Sequence, residues 1–459
     1  MYNFNTTYTQ LHPDLFSSCR LPTLKHAQII LKHTELQKAL GLGNISSKTI
    51  FKIDKDTQPF AQAYAGHQFG HFTMLGDGRA LILGEHVTPG NKRFDIQVKG
   101  SGVTPYSRGG DGKATVNSMM REYMYSYAME KLGIPTAKSL AVIKTHESVI
   151  RDEIEDGAML IRVMSSHIRF GTFEFASKYL QKKDFTSFVD YVIKRHYPKI
   201  LESKNVYREF YRKVIQKTIE MVVEWYRVGF IHGVMNTDNM SVVGKTFDYG
   251  PCAFMNTYDP QKTFSKIDVY KRYSFENQKH ILKWNLFIFA QTLLPLVKSE
   301  ELQNEFDTFD SLFDTSYMEM MKKKLGIISH GDFGSLIHEF LNFLEHNQLD
   351  YTNSFIALQN PHAYSDSVYQ SEDFQKLRSK IQKVGLDKET MTESDPRRIL
   401  RNYILEEALD EYVYNKDMSK IITLLEALRE PYKENNGFRV FEKPPSDDFE
   451  KQYKTHCNT

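Results

Sequence analysis

Through the first third of the chain, apolar and polar residues alternate. Phe94, Ile96 and Val98 interleave with Asp95, Gln97 and Lys99, a period of two that predicts a strand with one buried face. Apolar runs at 140–144, 149–154 and 158–164 predict a meander, with His146-Glu147-Ser148 and Asp156-Gly157 as its turns. The period changes over 114–132, where Val116, Met119, Met120, Tyr123, Tyr127 and Leu132 keep helical spacing and Gly133 with Pro135 ends the run. Past about Ser165 helical spacing dominates, predicting helices at 206–228, 278–294, 335–345, 396–414 and 419–428. Asp395 before Pro396 reads as an N-cap followed by a first-turn proline. The expected class is α+β, built as two lobes. Residues 1–165 would form a β-rich lobe with one helix, and 166–459 a mainly helical lobe. Ligands favour the cleft between two such units.

Composition narrows the function classes. A chain of 459 residues is too long for one compact core. Lys and Arg total 59 against 57 Asp and Glu, so no nucleic-acid footprint of clustered positive charge is expected. The three cysteines, Cys19, Cys252 and Cys457, form no C-x-x-C pair, so neither a disulfide framework nor a Cys-rich zinc site follows. The apolar stretch 281–297 is broken by Lys283, Asn285, Gln291 and Pro295, whereas a membrane span needs about 20 predominantly apolar residues. The N-terminus lacks a charged region followed by an apolar one, and the cytoplasm is the expected compartment.

Four segments could carry chemistry. Leu75-Gly76-Asp77-Gly78-Arg79 is a glycine-rich turn that would let backbone N–H groups approach a phosphate, although Asp-Gly is also a common hairpin turn. Lys99 at a strand end and Glu122 on the following helix could pair as kinases pair these residue types to grip phosphates. His232 to Met240 ends in Asp238-Asn239, and Asp248 follows in Thr246-Phe247-Asp248-Tyr249-Gly250. An aspartate to take a hydroxyl proton, with an asparagine and a second aspartate to hold a metal, is a minimal set for phosphoryl or nucleotidyl transfer. A polar loop and hairpin would use the same residues. Asp332-Phe333-Gly334 reads as a helix-start turn, Gly112-Lys113 lacks the first glycine of a Walker loop, and Gly100-x-Gly102 runs into Pro105 instead of a helix. His67 and His71 have no third metal ligand in pattern.

Together these segments resemble the selenoprotein O family, also called the YdiU or SelO pseudokinases. The resemblance rests on Tyr64 to Gly70, Leu75 to Arg79, Lys99 to Arg108, Asp111-Gly112, Arg121-Glu122, Leu132 to Thr136, His232 to Met240 and Asp248 to Pro251. Weaker echoes occur at Arg401-Asn402 and from Pro444-Pro445 to Cys457. It implies a kinase-like fold with ATP flipped, so that AMP passes to Ser, Thr or Tyr hydroxyls of proteins and pyrophosphate leaves. Gly76, Gly78, Arg79, Lys99, Asp111, Gly112, Arg162, Arg169 and Asp248 would hold the nucleotide. Asp238 would accept the proton, Asn239 and Asp248 would bind Mg2+ or Mn2+, and Glu122 would position Lys99. Protein substrates are implied, self-modification among them, with no nucleic-acid or membrane partner. Asp238 and Asn239 are adjacent, whereas protein kinases separate base and asparagine by four residues. Eukaryotic members carry a selenocysteine near the C-terminus, where this chain has Cys457; a regulatory disulfide to Cys252 or Cys19 is the matching expectation. UMP transfer from UTP with Mn2+, phosphoryl transfer, and a nucleotide-sensing scaffold are the alternatives.

Overall fold

The structure, a computed structural model, describes residues 2–24 and 26–455. Its first part is built on β-strands: β1 (Phe16–Ser18), β2 (Gln28–Lys32), β3 (Phe60–Gln62), β4 (Ala65–Gln68), β5 (His71–Met74), β6 (Ala80–Val87), β7 (Arg93–Lys99), β8 (Ala114–Thr115), β9 (Lys138–Ile150) and β10 (Ile154–Met164). An antiparallel sheet runs β1-β3-β6-β7-β10-β9-β2, with β8 also paired to β10, while β4 and β5 form a separate hairpin. One face of the sheet is apolar: Leu81, Leu83, Ile96, Val98, Ile143 and Ile161 pack with Leu36 and Leu40.

The other face departs from the expectation. Alternation predicts one buried face, yet Asp95, Gln97 and Lys99 are also buried, at 2, 0 and 4% exposure. The helical part packs over this polar face, and the alternation marks an interface instead of a solvent side. In the β7–β10 register Lys99 lies opposite Leu160 and Gln97 opposite Arg162. Lys99 and Arg162 are therefore diagonal neighbours on that face.

The predicted meander is simpler than expected. β9 continues past His146-Glu147-Ser148, where it bulges out of the ladder with β10 and His146 takes φ 59°, and the reversal comes at 151–153. His146, Glu147 and Ser148 are exposed, and their turn-like chemistry serves this bulge instead of a chain reversal. Gly157 sits at a register shift within β10, where a Cβ would crowd Thr145 and Glu147.

The helix Val116–Lys131 is capped by Thr115, whose hydroxyl accepts from Ser118 N at 3.2 Å, and it buries Met119, Met120, Glu122 and Tyr123. Beyond Met164 the chain is mainly helical. The helix Val206–Val228 ends at Gly229, whose φ of 70° closes the last turn. Two short strands, β11 (Phe230–Ile231) and β12 (Ala253–Phe254), then pair and enclose the polar segment 232–252. The helices Gln278–Leu293, Gly334–His346 and Ser419–Leu428 lie where periodicity puts them.

The helix predicted from 396 starts only at Asn402, with Arg401 as its N-cap. Asp395 is not a cap; its carboxylate accepts from Lys324 Nζ at 2.8 Å in a buried pair. The backbone N–H groups of Arg397 and Arg398 donate to Pro431 O, which holds this segment out of helix. Asn402–Asn415 and Ser419–Leu428 pack back on the helix Val116–Lys131, where Tyr125 Oη donates to Asn402 Oδ1 at 2.9 Å and Arg121 pairs with Glu406. The observed class is α+β, with an antiparallel sheet first and helices after it. No helix among the described residues is long and apolar enough to cross a membrane.

Candidate active site

A cavity of about 360 Å3 opens where the polar sheet face meets the segment 232–252. Gly76, Gly78, Arg79, Lys99, Asp111, Gly112, Arg162, Arg169, Asp238, Asn239 and Asp248 all line it. Glu122, the remaining candidate, stands behind Lys99. The lining holds seven Lys and Arg side chains against four Asp, an excess of positive charge suited to a polyphosphate.

At the centre, Lys99 Nζ donates to Glu122 Oε2 at 2.7 Å and to Asp248 Oδ1 at 3.0 Å. Arg162 Nη1 donates to the same Asp248 oxygen at 2.8 Å, and its Nε faces Glu122 Oε1 at 3.3 Å. Arg169 faces the second Asp248 oxygen at 3.6 Å. Burial alone would push the Asp248 carboxyl up, but the charges of Arg162, Lys99 and Arg169 hold it well below the ordinary carboxylate range. Asp248 has a left-handed backbone, φ 60°, which aims its side chain back at the sheet. His232, fully buried against Trp225, has Nε2 3.2 Å from Phe247 O and so fixes the residue before Asp248.

Asp238 and Asn239 lie on a short 3-10 turn, Thr237–Asn239. The β4–β5 hairpin seats this turn: His67 N donates to Thr237 Oγ1 at 2.7 Å and Phe69 N to Asn236 Oδ1 at 3.2 Å. The seat is close-packed. A Cβ on Gly66 would overlap the Asp238 carboxylate, and one on Gly171 would overlap Ala65 O. Arg169 Nη1 donates to Asp238 O at 2.9 Å while its guanidinium stacks on Tyr64, 4.1 Å from the ring centre. Asp238 Oδ1 is buried without a hydrogen bond, and burial pushes the carboxyl up to about 6 against the pull of Arg169. Asn239 Nδ2 donates to Val234 O at 3.0 Å, which turns its Oδ1 away from that carbonyl.

The glycine-rich turn joins β5 to β6. Gly76 has φ 150°, and a Cβ there would overlap the Tyr106 ring. Asp77 is buried, accepts from Gln62 N at 3.1 Å and faces Arg169 at 3.7 Å; its carbonyl accepts from Thr104 Oγ1 at 2.7 Å. At the outer rim Arg151 grips Asp111 with two bonds of 2.9 and 3.0 Å. Gly112 lies so close to Gly102 that a Cβ would overlap its carbonyl.

The chain matches the family described as Protein adenylyltransferase SelO over residues 1–429. The chain belongs to the SelO family. Relatives named Protein nucleotidyltransferase YdiU share its length. That of Pelagibacter ubique is 42% identical, covering 100% of this chain and 99% of its own. Those of Nitrosococcus oceani and Brevibacillus brevis are each 41% identical over 100% of this chain and 97% and 98% of theirs. Membership makes the chain a nucleotidyltransferase. Among solved structures, ROP2 of Toxoplasma gondii, titled a virulence factor with a protein-kinase fold and no enzymatic activity, is 10% identical with a TM-score of 0.27, covering 70% of this chain and 86% of that one. Likeness at that level carries no argument, and the α+β description rests on the topology itself.

For a SelO-family chain, several cavity residues escape sequence reasoning. Arg151 hides in what periodicity reads as a strand, and only the 151–153 reversal brings it to Asp111. Asp77 and Tyr106 buttress the glycine turn but look like ordinary turn and loop residues. Arg108, quoted within the family resemblance only as part of a longer motif, lines the cavity mouth. Of the rejected motifs, Gly112-Lys113 lines the cavity, while Asp332-Phe333-Gly334 and the His67/His71 pair stay outside its lining. Asp332 Oδ1 accepts from Gly334 N at 2.9 Å at the start of the helix Gly334–His346, and His67 Nδ1 sits 2.5 Å from Glu174. Cys19 and Cys252 are buried free thiols, and burial pushes Cys252 up to about 12. Cys457, and with it the expected disulfide, lies outside the described residues.

Proposed function

We propose that this chain transfers AMP from ATP to hydroxyl groups of proteins, its own among them. The observation that supports this most is the convergence of Lys99, Arg162 and Arg169 on Asp248, next to an Asp238 whose carboxylate oxygen has no hydrogen bond. A triphosphate competes with Asp248 for those three cations. Arg79 and the N–H groups around Gly76 and Gly78 extend the cradle, and Asp111 with Gly112 marks its outer rim. Glu122 keeps Lys99 aimed into the cleft.

Asp248 and Asn239 fit a hard divalent ion: one is an ionised carboxylate, the other an amide with its oxygen uncommitted. Among the described residues no group of three His, Cys, Asp or Glu could hold a metal. Mg2+ and Mn2+ take few protein ligands and fill the rest with phosphate oxygens and water. Such an ion supplies neutralisation of the phosphate charge during transfer. Asp238 accepts the proton of the incoming hydroxyl; a carboxyl near 6 is ionised at neutral pH yet basic enough to take it. Lys99, Arg162 and Arg169 balance the charge as pyrophosphate leaves, so catalysis is electrostatic and positional.

The test is purified protein with Mg2+ or Mn2+ and ATP labelled at the α- or the γ-phosphate, with α-labelled UTP in parallel, scored for label retained on protein. The expected result is α-label from ATP, lost in Asp248→Ala. Retained γ-label would replace the reading with phosphoryl transfer, and preference for UTP with uridylyl transfer.

A further inference from the structure

A second cavity, of about 990 Å3, shares no lining residue with the candidate active site. It lies between the β6–β7 turn, the end of the helix Lys182–His196, the junction at Ser165 and the segment before Asp248. Six cations line it, Lys92, Arg93, Lys194, Arg195, Lys217 and Lys245, and no acidic residue does.

Three of the six are accounted for by neighbours. Arg93 and Arg195 hold Glu85 at 2.9 and 3.0 Å, Arg195 also holds Asp95, and Lys217 pairs with Glu220. Lys92, Lys194 and Lys245 have no ion pair among the described residues. Lys245 is half-buried, and burial followed by the charge of Lys138 pushes its ammonium down. His196, close enough to feel Lys245, keeps a buried Nε2 with no hydrogen-bond partner. A half-buried ammonium and an orphaned ring nitrogen cost stability unless something pairs with them. Adenylyl transfer uses none of these groups.

We infer that this cavity is a second anion site, taking a compact small molecule that carries two or more phosphate groups. The cations come from four separate elements and converge on one concave volume of small-ligand size, which favours a compact polyanion over an extended acidic chain. Phe94, Tyr191 and Val243 supply apolar surface for the rest of such a molecule.

The probe is inorganic tripolyphosphate, titrated calorimetrically into the full-length protein. Two sites are expected. Lys194→Gln with Lys245→Gln should weaken one by about ten-fold per lysine, since a charge-assisted bond is worth at least that factor, and leave the other unchanged. Arg162→Gln should do the reverse. If the Lys245 variant does not fold, Lys92→Gln with Lys194→Gln, both exposed, reads the same loss. A single site lost in Arg162→Gln, or a second site indifferent to the lysines, would overturn the inference. So would binding of an oligoglutamate peptide at these lysines where tripolyphosphate does not bind, which would assign the cavity to an acidic chain.

Discussion

Replacing Glu122 by glutamine keeps the shape of the side chain and removes one negative charge from the most crowded point of the cleft. Among the described residues Lys99 and Arg162 pair only with Glu122 and Asp248, and the Lys99 and Glu122 side chains are 5 and 3% exposed. Breaking a buried pair by removing one partner costs about 3–5 kcal/mol. The lower figure applies, because Lys99 keeps Asp248 at 3.0 Å. If that loss falls on the transition state, about 3 kcal/mol is about two orders of magnitude in rate. A second effect separates positioning from damage to the fold. Without Glu122, Lys99 leans on Asp248 alone, and the divalent ion must displace a tighter pair. An extra 1.4 kcal/mol or so of pairing raises the half-saturating metal concentration about ten-fold. The assay is α-label transfer at saturating ATP with Mg2+ titrated, for wild type, Glu122→Gln and Glu122→Asp. A Glu122→Gln rate within about three-fold of wild type, less than 1 kcal/mol, would refute the positioning role. A slow enzyme with an unchanged metal requirement would reduce Glu122 to a structural residue.

Asp238→Asn should slow transfer by about 10²–10⁴-fold, the usual range for a lost general base, with nucleotide binding retained in a filter assay. In the wild type the rate should rise with pH through about 6, as Asp238 ionises. Its folded-state pKa is raised, so the cost of the buried charge is present above about 6 and disappears as pH falls below the unfolded value. Asp238→Asn should therefore melt higher than wild type at pH 8 and no higher at pH 4; equal melting points at both would contradict the buried charge. Gly66→Ala should cost about two orders of magnitude in transfer, because its methyl displaces the Asp238 carboxylate, while ATP binding stays near wild type. Asp332→Ala should lose about 1 kcal/mol of helix-start stability and no activity; an inactive variant would reopen the Asp332-Phe333-Gly334 motif.

Much of this architecture is legible in local pattern. Helical spacing locates 206–228 and 419–428 because one stripe of each faces the core, and Gly229 supplies the left-handed stop. Pattern fails where distant partners decide. Asp395-Pro396 has the chemistry of a helix start, but Lys324, 71 residues away, claims the carboxylate. Asp95, Gln97 and Lys99 read as a solvent face since nothing local reveals that helices cover them. Arg162 and Arg169 look like surface arginines until Asp248 is brought to them across the cleft. Residue types at set spacing single out the Asp238-Asn239 and Asp248 pieces, while in the seat beneath them Gly66 is reached only through the family resemblance and Gly171 not at all.

That seat has a bearing on biogenesis. The β4–β5 hairpin leaves the ribosome first, and its partner Thr237 emerges 170 residues later. Until both are made and docked, Asp238 has no fixed place. A half-translated chain therefore carries Lys99 of β7 without an organised Asp238. Under the proposed function, the capacity to modify other proteins would be withheld during synthesis by chain order alone.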